Sequence, residues 1–344
     1  MNQNWNAFLA EHGAQIDANT VVSFGDPQRE LKAAASQSVI ADLSQFGLLH
    51  FSGDDAQLFL NNLLSSDIKH QQPGQAQYSS FSTPKGRMLA SMLVIRSESG
   101  FLIQLPASLR EAMQRKLSMY ILRSKVKVVD AGIDTALLGL AGPDAATMLK
   151  QYFGTVPAQP METVFAGTAA ITQLAPAMFL LHANIDTAPA LFAQMQQQGA
   201  IPVGEPAWRW LSLQTGFAWI YPATQEQFVA QMANMELVGA VSFTKGCYPG
   251  QEIVARMQYL GKLKRRMALV HIDCDIADAP PGRELYSPEL PGQAIGMLAD
   301  SAPSPEGGID ALAVVQISCW EHGVTLGGSD GPALSVRPLP YPVA

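Results

Sequence analysis

Apolar residues recur along this chain with two spacings. Short apolar or alternating runs at Arg87–Ile95, Phe101–Gln104, Lys125–Val129 and Met178–His182 predict strands, because side chains in a strand alternate between faces. A helical period over Ser108–Leu122, with Leu109, Met113, Leu117 and Ile121 on one face, predicts a helix, as does Ala188–Gln198. One composite pattern occurs twice. LLHFSGDDA (48–56) leads into an apolar period through Leu60 and Leu64, and LLGLAGPDA (137–145) runs on to Leu149. Gly53 and Gly142, Asp55 and Asp144, and Leu60 and Leu149 are each 89 residues apart. Each copy reads as a buried strand, a glycine turn and a helix. Pro143 and the acidic residues suit the helix's first turn, where a missing N–H is harmless and negative charge meets the positive end of the dipole. Two related α/β units in tandem are predicted.

Gly204-Glu205-Pro206 marks a break, and after Met267 the texture changes. Short strand candidates at Ala268–Ile272, Ala294–Met297, Ala311–Ser318, Val324–Leu326 and Ser335–Pro338 alternate with Pro/Gly/Asp/Ser clusters, as in a small all-β sandwich or barrel. The expected organisation is a first α/β unit at 1–130 and a second at 131–205. A segment at 206–262 returns to them, and a β-domain follows at 263–344.

The composition narrows the class. Hydrophobic residues are 48% of 344 and charged residues 15%, which excludes a disordered chain. Three cysteines at 247, 274 and 319 make neither a disulfide framework nor a four-ligand zinc site, and no metal site is expected. A net charge of −7 argues against bulk nucleic-acid binding. The start of the sequence lacks a basic segment and no run of about 18 apolar residues appears, so neither export nor a membrane span is expected. With unpaired thiols, that points to the reducing cytoplasm.

The most unusual stretch is KGCYPGQE (245–252), between an apolar run at Val238–Phe243, read as a strand, and a predicted helix that follows the loop. Gly246 and Gly250 are expected to let this loop turn. Cys247 sits in the loop, outside the apolar runs that hold Cys274 and Cys319, and Lys245 two residues away would favour its thiolate. Local chemistry alone leaves Cys247 as either an inert turn residue or a reactive thiol. His50, His182 and His271 lie in strand runs and read as satisfied structural residues. No phosphate-binding loop occurs in a strand-to-helix setting. Lys262, Lys264, Arg265 and Arg266 form a basic cluster, read as a solvated edge or hinge of the β-domain or as a seat for nucleic acid or the anionic tail of a ligand such as a polyglutamylated cofactor. Trp208, Trp210 and Trp219 crowd one stretch. Residues 208 and 210 could share a strand face but not a helix face, and the three suit either a core or an aromatic pocket.

KGCYPGQE with the following Ile253-Val254-Ala255-Arg256 resembles the signature of the YgfZ family of folate-binding proteins, which are related to the aminomethyltransferase of the glycine cleavage system. The resemblance extends to Ala41-Asp42-Leu43 through Asp67, Pro84-Lys85-Gly86-Arg87, Leu211–Phe217 and Arg337–Tyr341. It implies an α+β fold of two interlocked ferredoxin-like units plus a C-terminal all-β barrel, arranged as a ring around a central channel. It also implies binding of tetrahydrofolate or a related folate, and a role in iron–sulfur cluster assembly or repair that supports tRNA modification by iron–sulfur methylthiotransferases. Iron–sulfur proteins or their assembly factors would be partners of a monomeric chain, and direct nucleic-acid binding is disfavoured. Alternative readings are a one-carbon transferase of the aminomethyltransferase type and a direct tRNA binder through Lys262–Arg266.

On the matching positions, Cys247 is the functional thiol with Lys245 beside it, and Gly246, Tyr248, Gly250, Gln251 and Glu252 complete the loop. Phe46, Trp208, Gln214 and Arg256 are the expected folate contacts. Two departures stand out. Phe46 replaces a tryptophan and Gln214 replaces a glutamate, which keeps an acceptor but loses a carboxylate that could take two pterin N–H groups. Ala90 stands where an aminomethyltransferase carries its carboxylate and cannot exchange a proton, so that activity is not expected. One thiolate is also far short of the usual four ligands of a cluster, so a cluster could rest on Cys247 only with a partner's ligands.

Overall fold

The computed structural model describes residues 3–343. From the start the elements run α1 (Gln3–Glu11), β1 (Gln15–Asp17), β2 (Thr20–Ser23), α2 (Pro27–Ser36), β3 (Val39–Asp42), β4 (Phe46–Ser52) and α3 (Ala56–Leu63). Then come β5 (Ala76–Ser82), β6 (Met88–Ser97), β7 (Gly100–Pro106), α4 (Ala107–Ser118), β8 (Lys127–Asp130), β9 (Thr135–Ala141) and α5 (Ala145–Phe153). The middle of the chain continues with β10 (Thr163–Ala166), β11 (Ala169–Ala175), β12 (Met178–Asn184), α6 (Ala188–Gln197), β13 (Ile201–Val203) and α7 (Glu205–Gln214). The last part holds α8 (Gln251–Tyr259), β14 (Arg265–Ile272), β15 (Glu284–Tyr286), β16 (Gly296–Pro303), β17 (Ile309–Gln316), β18 (Thr325–Leu326) and β19 (Leu334–Arg337). No helix among the described residues is long and apolar enough to cross a membrane.

The chain divides into two interleaved compact units, one of Met1–Gln57, Gln71–Gln77 and Leu93–Leu211, the other of Leu58–His70, Tyr78–Met92 and Ser212–Ala344. In the first, a six-stranded sheet has the order β10-β11-β12-β9-β3-β13, antiparallel apart from the β13–β3 pair. Strands β7, β4 and β8 pair antiparallel in a second sheet.

The repeat seen in the sequence is real at the level of backbone. Both copies are strand, glycine, helix (β4–Gly53–α3 and β9–Gly142–α5), and the two glycines share nearly the same left-handed φ of 112° and 118°. A Cβ on Gly53 would stand 2.1 Å from the Lys125 carbonyl oxygen, and one on Gly142 2.3 Å from that of Gln37. Each turn is thus pressed onto the backbone of a neighbouring segment, where only glycine fits. The core of this unit gathers Trp5, Leu9, Ile40, Leu138, Leu140, Phe179, Leu181 and Phe192. Trp5 Nε1 donates to the buried Asp42 Oδ1 at 2.7 Å, tying α1 to the end of β3.

In the second unit, the C-terminal residues form a curled six-stranded antiparallel sheet of order β18-β15-β16-β17-β14-β19. Its core is Val270, Ile272, Leu285, Leu298, Ala311, Ala313 and Val315 with the buried Cys319. A second nucleus stacks Tyr78 on Phe217 (centroids 3.8 Å apart) with Trp219 edge-on to both.

One expected strand is something else, and the crowded tryptophans do not lie on a strand. Residues 205–214 form α7, so Trp208 and Trp210 share no face. Glu205 and Arg209 pair one turn apart, and Ala207, Trp208 and Leu213 are buried, a helical spacing. Val238–Phe243 is turn followed by irregular coil. Its polar backbone groups are met singly: the Ala240 carbonyl accepts from Ser65 Oγ at 2.6 Å, and the Ser242 N–H donates to the Ser65 carbonyl at 2.9 Å.

Candidate functional site

The 245–252 loop is held at both ends. At its start, Ser242 Oγ accepts from the Lys245 N–H at 3.2 Å, folding the chain so that the Lys245 side chain reaches the C-terminal end of α3. There its ammonium donates to the carbonyls of Asn61, Leu64 (2.6 Å) and Ser66 (2.8 Å). A lysine has three N–H donors, so all are spent on carbonyls and none is left to bond the Cys247 sulfur. Burial pushes the amine down to about 8, with Asp67 pulling the other way. Lys245 therefore serves as the loop's anchor, seated at the negative end of a helix dipole.

At the loop's end, Gly250 takes φ +84° as the residue that opens α8. A Cβ there would stand 2.6 Å from Gly86 Cα and 2.7 Å from the Thr83 carbonyl oxygen. Gly86, at φ +73°, faces back toward the Gly250 carbonyl and Ile253. The PKGR turn at 84–87 and the KGCYPGQE loop are thus one backbone-on-backbone crossing, which explains two glycines that look unrelated in the sequence. Gly246 is different: its φ is not left-handed and a Cβ on it would meet nothing within 4 Å. The expectation that both glycines let the loop turn holds for Gly250 alone.

Between these anchors Cys247 is exposed. Tyr248 turns inward. Its ring lies under the Lys245 ammonium, 5.1 Å from the centroid, and burial pushes its hydroxyl up to about 12. Gln251 donates its backbone N–H to the Tyr248 carbonyl at 3.1 Å, while Glu252 and Arg256 point to solvent from α8. Val254 is the buried side of that helix, and its carbonyl accepts from Gln231 Nε2 at 2.7 Å. Ala90 is fully buried in β6, and Ser91 beside it accepts the Ile220 N–H at 2.8 Å.

The expected folate contacts fall in both units. In the first, Phe46 opens β4 and is 8% exposed. Trp208 is 2% exposed, its indole lying on β9 with a ring carbon 2.4 Å from where a Cβ of Gly139 would be. In the second, Gln214 Nε2 donates to Asp310 Oδ2 at 3.5 Å, and Asp310 in turn accepts from His271 Nδ1 at 2.8 Å.

This carboxylate explains the glutamine, since a glutamate at 214 would face Asp310 as a like charge. Asp310 had no signal in the sequence, being one acidic residue in an apolar strand. Nor had the Asn61, Leu64 and Ser66 carbonyls, because backbone acceptors are independent of residue type.

Two histidine and arginine expectations need correction. His271 is satisfied by Asp310, but His182 is not satisfied. It is 3% exposed with neither ring nitrogen hydrogen-bonded, and burial pushes it down to about 4. Arg266 leaves the basic cluster altogether: its side chain is 12% exposed and bonds Glu236 Oε1 at 2.8 Å.

Comparison with known proteins agrees with this picture. The family model of the GCVT N-terminal domain matches residues 6–245. The tRNA-modifying protein YgfZ of Enterobacter sp. (strain 638) is 26% identical over 319 residues, covering 92% of this chain and 97% of that one. The protein of the same name from Colwellia psychrerythraea is 27% identical over 238 residues, 68% of this chain and 72% of that one. Among solved structures, the glycine cleavage system aminomethyltransferase T from Bartonella henselae superposes with a TM-score of 0.82 at 20% identity, covering 99% of this chain and 97% of that one. Together with the glycine-locked KGCYPGQE loop, these matches show that the chain belongs to the GCVT N-terminal domain family and, within it, to the YgfZ proteins.

Proposed function

We propose that this chain is a folate-binding factor of tRNA modification that supports iron–sulfur enzymes of the methylthiotransferase kind, with Cys247 as its working thiol. The observation that carries the reading is the build of the loop. A cysteine exposed to solvent is held between two fixed points, the Lys245 ammonium on three carbonyls and the Gly250–Gly86 crossing. Fixing a reactive group on a braced backbone removes the entropy of positioning it, as a working thiol requires and an inert turn residue does not. The names of the relatives supply the pathway: they are tRNA-modifying proteins.

The residues present suit a folate in kind. Gln214 donates its amide N–H to Asp310, which leaves the amide oxygen to accept a pterin N–H. Bound there, a reduced folate would supply one-carbon or redox chemistry. The protein's part there is to accept its polar edge at Gln214. Ala90 brings no carboxylate, so aminomethyl transfer is not part of the proposal.

Two measurements test it. Cys247→Ser should melt like the wild type yet fail to restore methylthio-modified tRNA in a deletion strain, and full restoration would overturn the role of the thiol. Calorimetric titration with tetrahydrofolate should show binding that weakens at least tenfold in Gln214→Leu, about 1.4 kcal/mol. No binding to the wild type would remove folate from the reading.

A further inference from the structure

The net charge of −7 hides one strongly basic stretch. From Ile253 to Ile272 there is no acidic residue, while Arg256, Lys262, Lys264, Arg265 and Arg266 all fall there. Glu236 takes Arg266 out of play. Of the four that remain, Arg256, Lys262 and Lys264 are exposed and Arg265 is half-buried. The same short stretch carries two large apolar side chains in solvent: Tyr259 is 68% exposed and Leu260 86%. Both stand at the end of α8. The N–H groups of Leu260 and Gly261 close that helix on the Arg256 carbonyl, both at 2.9 Å, and the Tyr259 ring is steadied edge-on by Phe243, 6.2 Å between centroids. From there 262–264 run to the sheet, where the Lys264 carbonyl accepts the Ile317 N–H at 2.9 Å. The result is a braced aromatic ring next to a row of cations on fixed backbone, at the far end of the helix that the Cys247 loop opens.

We propose that the Tyr259–Arg265 surface docks an unpaired segment of RNA, with a base stacked on Tyr259 and the backbone phosphates following Lys262, Lys264 and Arg265. An exposed ring beside cations strung along an extended segment is what single-stranded nucleic acid uses: stacking for the bases, charge for the backbone. A folded acidic protein would need a far broader interface, about 800 Å² on each partner. An A-form duplex offers no splayed base to stack. The acidic remainder of the molecule repels a polyanion and so confines its approach to this stretch. That the RNA is tRNA rests on the function proposed above, whereas the binding itself does not.

The test is fluorescence anisotropy of a labelled tRNA transcript with the full chain, starting at about 50 mM salt and titrating upward. The tRNA should bind, an anticodon stem-loop should compete and a fully paired duplex should not. In the K262A/K264A/R265A variant the slope of log K against log salt should fall by about 2, at roughly 0.7 per phosphate contact in a single strand. Tyr259→Ala should weaken binding about tenfold or more with the slope unchanged. Tyr259, Lys262 and Lys264 are exposed and Arg265 is half-buried, so both variants should melt close to the wild type. Absence of binding at the lowest salt, equal binding of the duplex, an unchanged slope, or displacement of tRNA by an oligoglutamate peptide would each overturn the proposal. A wild-type chain that restores tRNA modification in a deletion strain but binds no tRNA sinks this docking surface alone. One that binds but restores nothing sinks the function alone.

Discussion

Lys245 and Arg266 are both basic residues that the sequence places at an outward, working edge, and both are turned inward to hold the second unit together. They are neutralised in different ways. Arg266 meets a carboxylate: Glu236 lies 2.8 Å away, each side chain is 12% exposed, and the Gln231 carbonyl adds a bond at 3.3 Å. Lys245 meets only dipoles, the three carbonyls at the end of α3. A charge cancelled by a countercharge depends on its partner, and the pair can be replaced together. A charge solvated by backbone carbonyls has partners that no substitution can remove, so the lysine alone bears the arrangement. The difference shows in the Lys245 amine, which burial pushes down to about 8.

The largest effect should come from halving the ion pair. Arg266→Met leaves Glu236 buried without its countercharge and should cost about 3–5 kcal/mol in urea unfolding. The double variant Arg266→Met/Glu236→Leu should recover most of that. If the double is as unstable as the single, the charge pairing is not what Arg266 contributes, and the contrast with Lys245 collapses.

Next comes Lys245→Met, which takes the ammonium from three carbonyls by α3 and should cost about 2–3 kcal/mol in all, since the site is only part-buried and water can replace some of the bonds. No second substitution at 61, 64 or 66 should rescue it, since the acceptors are backbone. The pH dependence sharpens the point. With a folded value near 8 against 10.5 for the free side chain, the folded state holds fewer protons than the unfolded one between those limits. Wild-type stability should therefore rise, relative to Lys245→Arg, as pH goes from about 8 to 10.5. A flat difference would mean that the carbonyls fully offset the burial.

The fold was largely legible where local pattern decides it. The paired strand–glycine–helix units could be read because both the apolar period and the need for glycine at 53 and 142 are local. What could not be read is which motifs touch. Gly86 and Gly250 cross backbone to backbone. Gly216 is covered by Tyr341, whose hydroxyl donates to the Gly216 carbonyl at 2.6 Å, and Gly139 lies beneath Trp208. The separate stretches 84–87 and 245–252, and likewise 211–217 and 337–341, are each two sides of one contact. Sequence displays the sides and not the contact. Val238–Phe243 departs from its strand-like pattern for a related reason. Its apolar residues suit a strand, but Ser65 supplies its hydrogen bonds from a distant segment, with a hydroxyl and a carbonyl in place of a ladder.

The smallest effects discriminate most finely, because they compare two glycines four residues apart in one loop. Gly250→Ala must hold a Cβ at φ +84° and drive it to 2.6 Å from Gly86 Cα, so both backbone strain and overlap act. The left-handed conformation alone costs about 1–2 kcal/mol, and the contact with main chain cannot be relieved by a rotamer change. A loss of about 2 kcal/mol is expected, with α8 shifted at its first turn. Gly246→Ala meets open space at an ordinary φ. Its main consequence is fewer unfolded conformations, a gain of about 0.4–1 kcal/mol. Thermal melts of the two single variants decide the matter. Equal destabilisation would mean that the loop is strained throughout and that the Gly250–Gly86 crossing has no special place in it. A stable Gly246→Ala that nevertheless loses restoration of tRNA modification would assign residue 246 to the approach of whatever meets Cys247, since nothing in the folded chain needs the space above it.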